Sequence, residues 1–209
     1  MATIQRRKTP ERGVRRRANT RARVLAAAGR ILSREGYSRL TMERVAAKSG
    51  VAKTTLYRRW PTKAALCMDL YLEVAAGELE APDTGGIAGD LKHIADTVLY
   101  IQTRTAAGPA FIGLIAEAQI NPDTGADFLK EFAERRREVT RFVLRRALGR
   151  GEIAADTDVD LVIDVLGGAM TFRLLQGHAP LTAKFTDALV ALVLSGCGTK
   201  RTFAQKPKR

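Results

Sequence analysis

Hydrophobic residues recur at helical spacing in the first segment of the chain that contains them in quantity. The predicted helix begins at Asn19 or Thr20, and Gly36 is a suitable C-cap before Tyr37. Its inward face comprises Val24, Leu25, Ala28, Ile31 and Leu32. This pattern predicts one amphipathic helix packed against the elements that follow.

Two short helices are predicted next, joined through a glycine. Thr41 is the expected N-cap of the first, which ends before Gly50, and the second covers residues 52–58 and is terminated by Pro61. Their apolar positions are Val45, Ala46, Val51 and Leu56. Two short helices that cross with apolar residues at the crossing have the spacing of a helix-turn-helix, whose second helix enters the DNA major groove.

The rest of the chain also has helical periodicity. A long helix is predicted from Thr62 to about Glu80, and a loop is predicted at 82–89. The later predicted helices cover 90–103, 109–119, 124–148, 158–176 and 182–195. No convincing strand alternation occurs, so the predicted fold class is all-α, with about nine helices. An N-terminal three-helix DNA-binding domain would precede a larger helical domain.

Charge divides the chain in the same place. Residues 1–65 contain 18 Lys and Arg against 3 Asp and Glu, whereas residues 66–198 contain 12 against 19. We therefore predict a disordered basic arm at 1–18, a DNA-binding domain at 19–65, a ligand-binding and dimerisation domain at 66–198, and a basic tail at 199–209. A basic first third indicates a polyanionic partner, with nucleic acid the leading candidate and an anionic membrane surface the second.

Several classes of function are not expected. Uncharged stretches are too short for a membrane span, and the N-terminus lacks the apolar region of a secretion signal, so a cytoplasmic protein is predicted. Cys67 and Cys197 read as small buried hydrophobes, with a redox switch as the alternative. His93 and His178 have no surrounding acid or nucleophile pattern, so we expect no enzyme activity, cofactor or metal.

The second short helix carries a face suited to DNA. Phosphates and base edges suit the donors, hydroxyls and aromatic ring of Lys53, Thr54, Thr55, Tyr57 and Arg58. The chain has no acidic residue between Glu43 and Asp69. An ordinary solvated helix would more often interleave glutamates with its lysines.

Residues 40–66, LTMERVAAKSGVAKTTLYRRWPTKAAL, resemble the DNA-binding signature of the TetR family of bacterial transcriptional regulators. The resemblance implies phosphate contacts at Thr41, Tyr57 and Lys63, with Lys53, Thr54, Thr55 and Arg58 on the recognition helix. Arg58 is the best candidate for reading a base, and a further phosphate contact is the alternative. Trp60 is expected in the core, with a DNA contact as the alternative, and a half-buried core position is the alternative for Tyr57. Ala52 stands where the family often has a capping serine.

The resemblance also implies dimerisation through the last two helices and a central ligand cavity. The expected dimer residues are Leu161, Val162, Val165, Leu166, Ala169, Phe185, Leu189 and Leu192. Residues 108–119 are apolar nearly all round, so neighbours must enclose them. The expected cavity lining is Tyr100, Phe111, Leu114, Ile115 and Gln119. Internal core helices and a closed core without ligand are the alternatives.

Together these features predict a homodimeric transcriptional regulator. By the resemblance it is a repressor that binds a palindromic operator in double-stranded DNA and leaves it when a small apolar or amphipathic effector binds. A nonspecific DNA-coating or architectural protein without a ligand is the alternative, and a membrane-surface binder is a third.

Overall fold

A computed structural model describes residues 11–76, 80–128, 130 and 133–197 of the 209-residue chain. Across these residues the structure has ten α-helices and no strand, which confirms the all-α prediction. The helices are α1 Glu11–Glu35, α2 Met42–Ser49, α3 Lys53–Arg59, α4 Lys63–Ala75, α5 Ile87–Arg104, α6 Ala107–Ile120, α7 Pro122–Phe128, α8 Glu134–Gly149, α9 Val159–Gln176 and α10 Ala183–Gly196. Tyr37–Arg39 forms a 3-10 helix after α1. In the part of the chain described, no helix is long and apolar enough to cross a bilayer.

The caps predicted for α2 and α4 are present. The Thr41 hydroxyl accepts the Arg44 backbone N–H at 3.3 Å, and the Thr62 hydroxyl accepts the Ala65 N–H at 3.0 Å. Each hydroxyl satisfies an N–H that has no partner inside its own helix. These caps fix where both helices begin.

Three predicted boundaries were wrong. Helix α1 begins at Glu11, so residues 11–18 are helical where a disordered arm was predicted, because arginine and alanine are strong helix formers even without an apolar face. The helix predicted over 124–148 is divided into α7 and α8, with π-helical residues at Lys130 and Ala133. Helix α4 ends at Ala75. Residues 1–10 of the predicted arm and 199–209 of the predicted tail lie outside the described residues.

Two hydrophobic cores are formed. The first joins α1, α2, α3 and α4 to Phe111 and Leu114 of α6, and it also contains Ile101 of α5. The second is built from α5, α8, α9 and α10. The domain boundary predicted after residue 65 falls inside α4, and helices α4 and α6 pack against each other. Residues 19–65 therefore share a core with α4 and α6, which extends beyond their predicted domain.

Candidate nucleic-acid interface and effector cavity

The turn between α2 and α3 depends on a glycine and an arginine. Gly50 has φ 64° and ψ 28°, a left-handed conformation that costs glycine little, and its N–H donates to the Ala46 carbonyl at 2.9 Å. The Arg23 guanidinium of α1 donates to the Ser49 carbonyl at 2.5 Å and to the Gly50 carbonyl at 3.3 Å. A positive group at the C-terminus of α2 also interacts favourably with the dipole of that helix. Arg23 is a contact that the sequence pattern did not predict.

Helix α3 exposes the predicted recognition face. Leu56 is fully buried beneath it, Thr55 is half-buried, and the other four predicted contact residues are exposed. Those four are Lys53, Thr54, Tyr57 and Arg58. Ala52 precedes the helix without a side-chain cap, as the sequence indicates. The structure thus places every predicted α3 contact residue at least partly in solvent.

Tyr57 has an unexpected partner. Its hydroxyl donates to a Glu43 carboxylate oxygen of α2 at 3.0 Å. This hydrogen bond raises the pKa of Tyr57. Any phosphate bound by the hydroxyl would have to share it with Glu43 or replace Glu43.

Trp60 closes the end of α3 in the core, as predicted. Its side chain is buried, and its Nε1–H donates to Asp69 of α4 at 2.9 Å. Arg21 of α1 also binds Asp69, with 2.6 Å between guanidinium nitrogen and carboxylate oxygen. Burial alone would raise the pKa of Asp69, but the hydrogen bonds from Arg21 and Trp60 outweigh it and lower the pKa below its ordinary value.

Lys63 lies in the first turn of α4, next to the recognition helix. Its ammonium is 3.2 Å from a Glu117 carboxylate oxygen of α6 and 4.3 Å from the centre of the Tyr37 ring. Lys63 and Glu117 are both half-buried. The residue predicted to bind phosphate is therefore held by α6 in this structure.

A cavity of about 490 Å³ lies between α4, α5, α6, α8 and α9. That volume is in the range of small-molecule sites. Apolar side chains that line it include Tyr71, Leu91, Ile94, Val98, Ile101, Phe111, Ile115, Ile163, Leu166 and Met170. Polar side chains at its wall include His93, Thr97, Arg136, Arg137, Thr140 and Asp164.

Two of the five predicted lining residues, Phe111 and Ile115, contact this cavity. Leu114 is fully buried and borders a different groove, of about 510 Å³, beside Trp60 and α7. Tyr100 is 56% exposed, because it lies on the face of α5 away from Val98 and Ile101. Gln119 is exposed near the end of α6. The prediction that this cavity is lined by Tyr100, Leu114 and Gln119 was therefore wrong.

The polar wall comes mainly from α8 and α9, whose charged residues were not predicted to line a cavity. Arg137 forms ion pairs with Asp160 at 3.0 Å and with Asp164. Burial raises the pKa of Tyr71, while the nearby Arg136 acts to lower it. The run ERRRE at 134–138 resembles an ordinary charged helix surface, so periodicity gave no signal for these residues.

The predicted dimer residues divide between two faces. Val162, Leu166 and Leu189 are buried in the second core, and Ala169 and Phe185 are half-buried. Leu161, Val165 and Leu192 are exposed, with Leu161 58% and Leu192 67% exposed. Neighbouring helix residues point about 100° apart, so a stripe of adjacent apolar pairs covers an inner and an outer face. Gly168 and Phe172, one helical turn apart on α9, are also exposed.

Comparisons with known proteins agree with this architecture. Residues 24–69 match the family described as bacterial regulatory proteins, tetR family, and residues 81–193 match the tetracyclin repressor-like C-terminal domain. The chain is 36% identical over 181 residues to the DNA-binding transcriptional repressor TetR of Mycobacteroides abscessus, covering 85% of this chain and 94% of that protein.

Solved structures give the same result. The TetR family transcription regulator SCO0332 has 39% identity and a TM-score of 0.70, with 85% of this chain and 98% of that chain covered. FadR from Bacillus subtilis, solved in complex with stearoyl-CoA, has 16% identity and a TM-score of 0.70, with 84% and 98% covered, and so shows the shared fold.

An exposed basic helix on a three-helix head, followed by a helical domain, defines a helix-turn-helix transcriptional regulator. The chain belongs to the TetR family. It is a DNA-binding regulator of transcription.

Proposed function

We propose that the protein is a homodimeric repressor that binds a palindromic operator and releases it when a small apolar or amphipathic ligand binds. One observation carries the proposal. Helix α4 begins at Lys63 beside the recognition helix and contributes Tyr71 and Ala75 to the wall of the cavity. A single rigid element therefore connects a DNA-facing surface to a site of effector size.

On DNA, α3 would lie in the major groove. Arg58 would read a base, because an arginine can make two hydrogen bonds to guanine, and Lys53, Thr54 and Thr55 would contact the adjoining edges and phosphates. Thr41, Tyr57 and Lys63 would bind phosphates on either side. The free N–H groups at the starts of α2 and α4 favour an anion there.

Selection of bound sequences from random duplexes tests this assignment. We expect a short palindrome for the wild-type protein. Arg58→Ala should lose about 1–3 kcal/mol of discrimination at one base position, whereas Lys63→Ala should weaken all DNA similarly and reduce the salt dependence. Arg145→Ala, which removes an exposed arginine from α8, is the charge-matched control.

The alternative function gives a different result in the same experiment. A nonspecific DNA-coating protein would yield no consensus and equal losses for Arg58→Ala and Lys63→Ala on all duplexes. That outcome would overturn the proposal of a sequence-specific regulator.

Dimerisation supports palindrome recognition. One helix-turn-helix reads few base pairs, so a twofold dimer would place two recognition helices about one DNA turn apart. The exposed apolar residues Leu161, Val165 and Leu192 on α9 and α10 support an interface there. A C2 interface would use this same patch on both copies.

The cavity supports a ligand that is mainly apolar with a polar end. Its hydrophobic wall is interrupted by Arg136, Thr140 and Asp164, which could orient polar groups. Proteins of similar fold have been solved with stearoyl-CoA and with choline, which supports a small-molecule site by fold analogy. Ligand would lower operator affinity by its preference for the conformation that does not bind DNA.

Operator release by three amphipathic probes tests the ligand proposal. Decanoate, decyltrimethylammonium and decanol differ in the charge of the polar end. The proposal requires at least one of them to release operator, below the micelle-forming concentration of the two ionic probes or the solubility limit of decanol. Ala95→Leu narrows the cavity, so the probe concentration that releases half of the operator should rise about tenfold. Ala88→Leu, on an exposed position of the same helix, is the control. Equal responses of both variants would contradict the site.

A further inference from the structure

Helix α6 presents two different faces to the rest of the molecule. Phe111 and Ile115 are four residues apart and line the cavity. Gly113 and Glu117 are also four residues apart, and they lie on the side that meets Tyr37 and Lys63. Any displacement of α6 therefore changes both its cavity face and its contacts with the DNA-binding region.

The second face is closely packed. A Cβ atom on Gly113 would lie 2.1 Å from atoms of the Tyr37 ring, so a side chain larger than hydrogen cannot fit without a shift. The Lys63 ammonium lies 4.3 Å above the centre of the same ring. Tyr37, Gly113 and Glu117 together form the environment in which the ammonium is held.

The Lys63 ammonium, which is the proposed partner of a DNA phosphate, is paired with Glu117 in this structure. The Lys63 ammonium is 3.2 Å from Glu117, with 34% and 32% of the two side chains exposed. A phosphate bound at the start of α4 would compete with the Glu117 carboxylate for that ammonium. The carboxylate would also repel a phosphate brought close to it.

We propose that Glu117 is an intramolecular competitor of DNA for Lys63, and that this exchange is how α6 influences operator affinity. The inference rests on the proposed contact between Lys63 and phosphate. The Lys63–Glu117 pair belongs to the conformation with low DNA affinity. In the DNA-bound conformation Lys63 moves to a phosphate and Glu117 faces solvent.

A double-mutant cycle on operator DNA tests the competition. Glu117→Gln should raise operator affinity about two- to fivefold, the range set by the loss of a partly exposed ion pair. The gain should disappear in the Lys63→Gln background, because the competed group is then absent. Asp127→Asn, which removes an exposed acid of α7 near Trp60 and Thr62, controls for the general effect of one less negative charge.

The possible outcomes are distinct. A gain of equal size in the wild-type and Lys63→Gln backgrounds, or no gain from Glu117→Gln, would overturn the competition while leaving specific DNA binding intact. Absence of sequence preference in the wild-type protein would instead contradict the proposed function.

Thermal unfolding of each variant separates a change in affinity from a change in folding, and Glu117→Asp provides a second variant. It keeps the charge but shortens the reach, so we expect an affinity between those of wild type and Glu117→Gln.

Discussion

Asp69 connects three parts of the DNA-binding region through one carboxylate. It belongs to α4, and it accepts hydrogen bonds from Arg21 of α1 and from the Trp60 indole at the end of α3. Sequence patterns identified Trp60 as a core residue, but they could not identify Asp69, because its partners are 48 and 9 residues away. Cys67, two residues earlier, was correctly predicted as buried, and burial raises its pKa to about 12, which disfavours the reactive thiolate.

Asp69→Asn should make the free energy of unfolding less dependent on pH in the acidic range. A carboxylate with a lowered pKa stabilises the fold above about pH 4, and the contribution is lost as the pH falls through the folded-state pKa. We expect the variant to be about 2 kcal/mol less stable than wild type at pH 7, with a smaller deficit near pH 3. Urea unfolding followed by Trp60 fluorescence measures both, with Asp127→Asn as the control. The same deficit at both pH values would contradict the ionic role.

At the scale of secondary structure, the capping signals around α2 and α4 were confirmed, whereas the cap predicted at Asn19 or Thr20 was wrong because both residues lie inside α1. Thr41, Gly50 and Thr62 act through hydrogen bonds within a few residues, so their roles can be read from sequence. The division between α7 and α8 and the early start of α1 were not predicted, because a single helical period shows neither a π-helical insertion nor a helix without an apolar face. Arg23 acts across 26 residues and gave no local signal.

Arg23 should position α3 by holding the carbonyls at the end of α2. Arg23→Ala removes the guanidinium from Ser49 and Gly50, and we expect a loss of about 1 kcal/mol in stability. If α3 is misplaced, operator affinity should fall more than affinity for random DNA. Arg30→Ala, an exposed arginine on the same helix, is the control, and Arg23→Lys should recover part of the loss. A uniform decrease on both DNAs would indicate a phosphate contact instead.

Across the whole molecule, the first core extends from the DNA-binding helices through α4 into α6, while the second core holds α5 against α8, α9 and α10. Periodicity predicted most helices but not which of them share a core, because that depends on contacts between distant segments. The cavity illustrates this limit. Phe111 and Ile115 were predicted as lining, whereas the contributions of Arg136, Arg137 and Asp164 to the wall were not predicted.

A substitution on the exposed apolar face of α9 and α10 should weaken dimerisation without preventing the monomer from folding. Leu192→Glu places a charge at a 67% exposed site, so the monomer should fold, but a twofold interface would contain the charge twice. We expect the dimer dissociation constant, measured by sedimentation, to rise at least about thirtyfold, with operator affinity falling in parallel. Phe142→Glu makes the same change at an exposed site on α8, outside this face, and should leave the dimer intact. An unchanged dimer in Leu192→Glu would place the interface elsewhere. Dissociation by both substitutions would indicate a general effect of charge, because an interface on α9 and α10 should respond to Leu192→Glu alone.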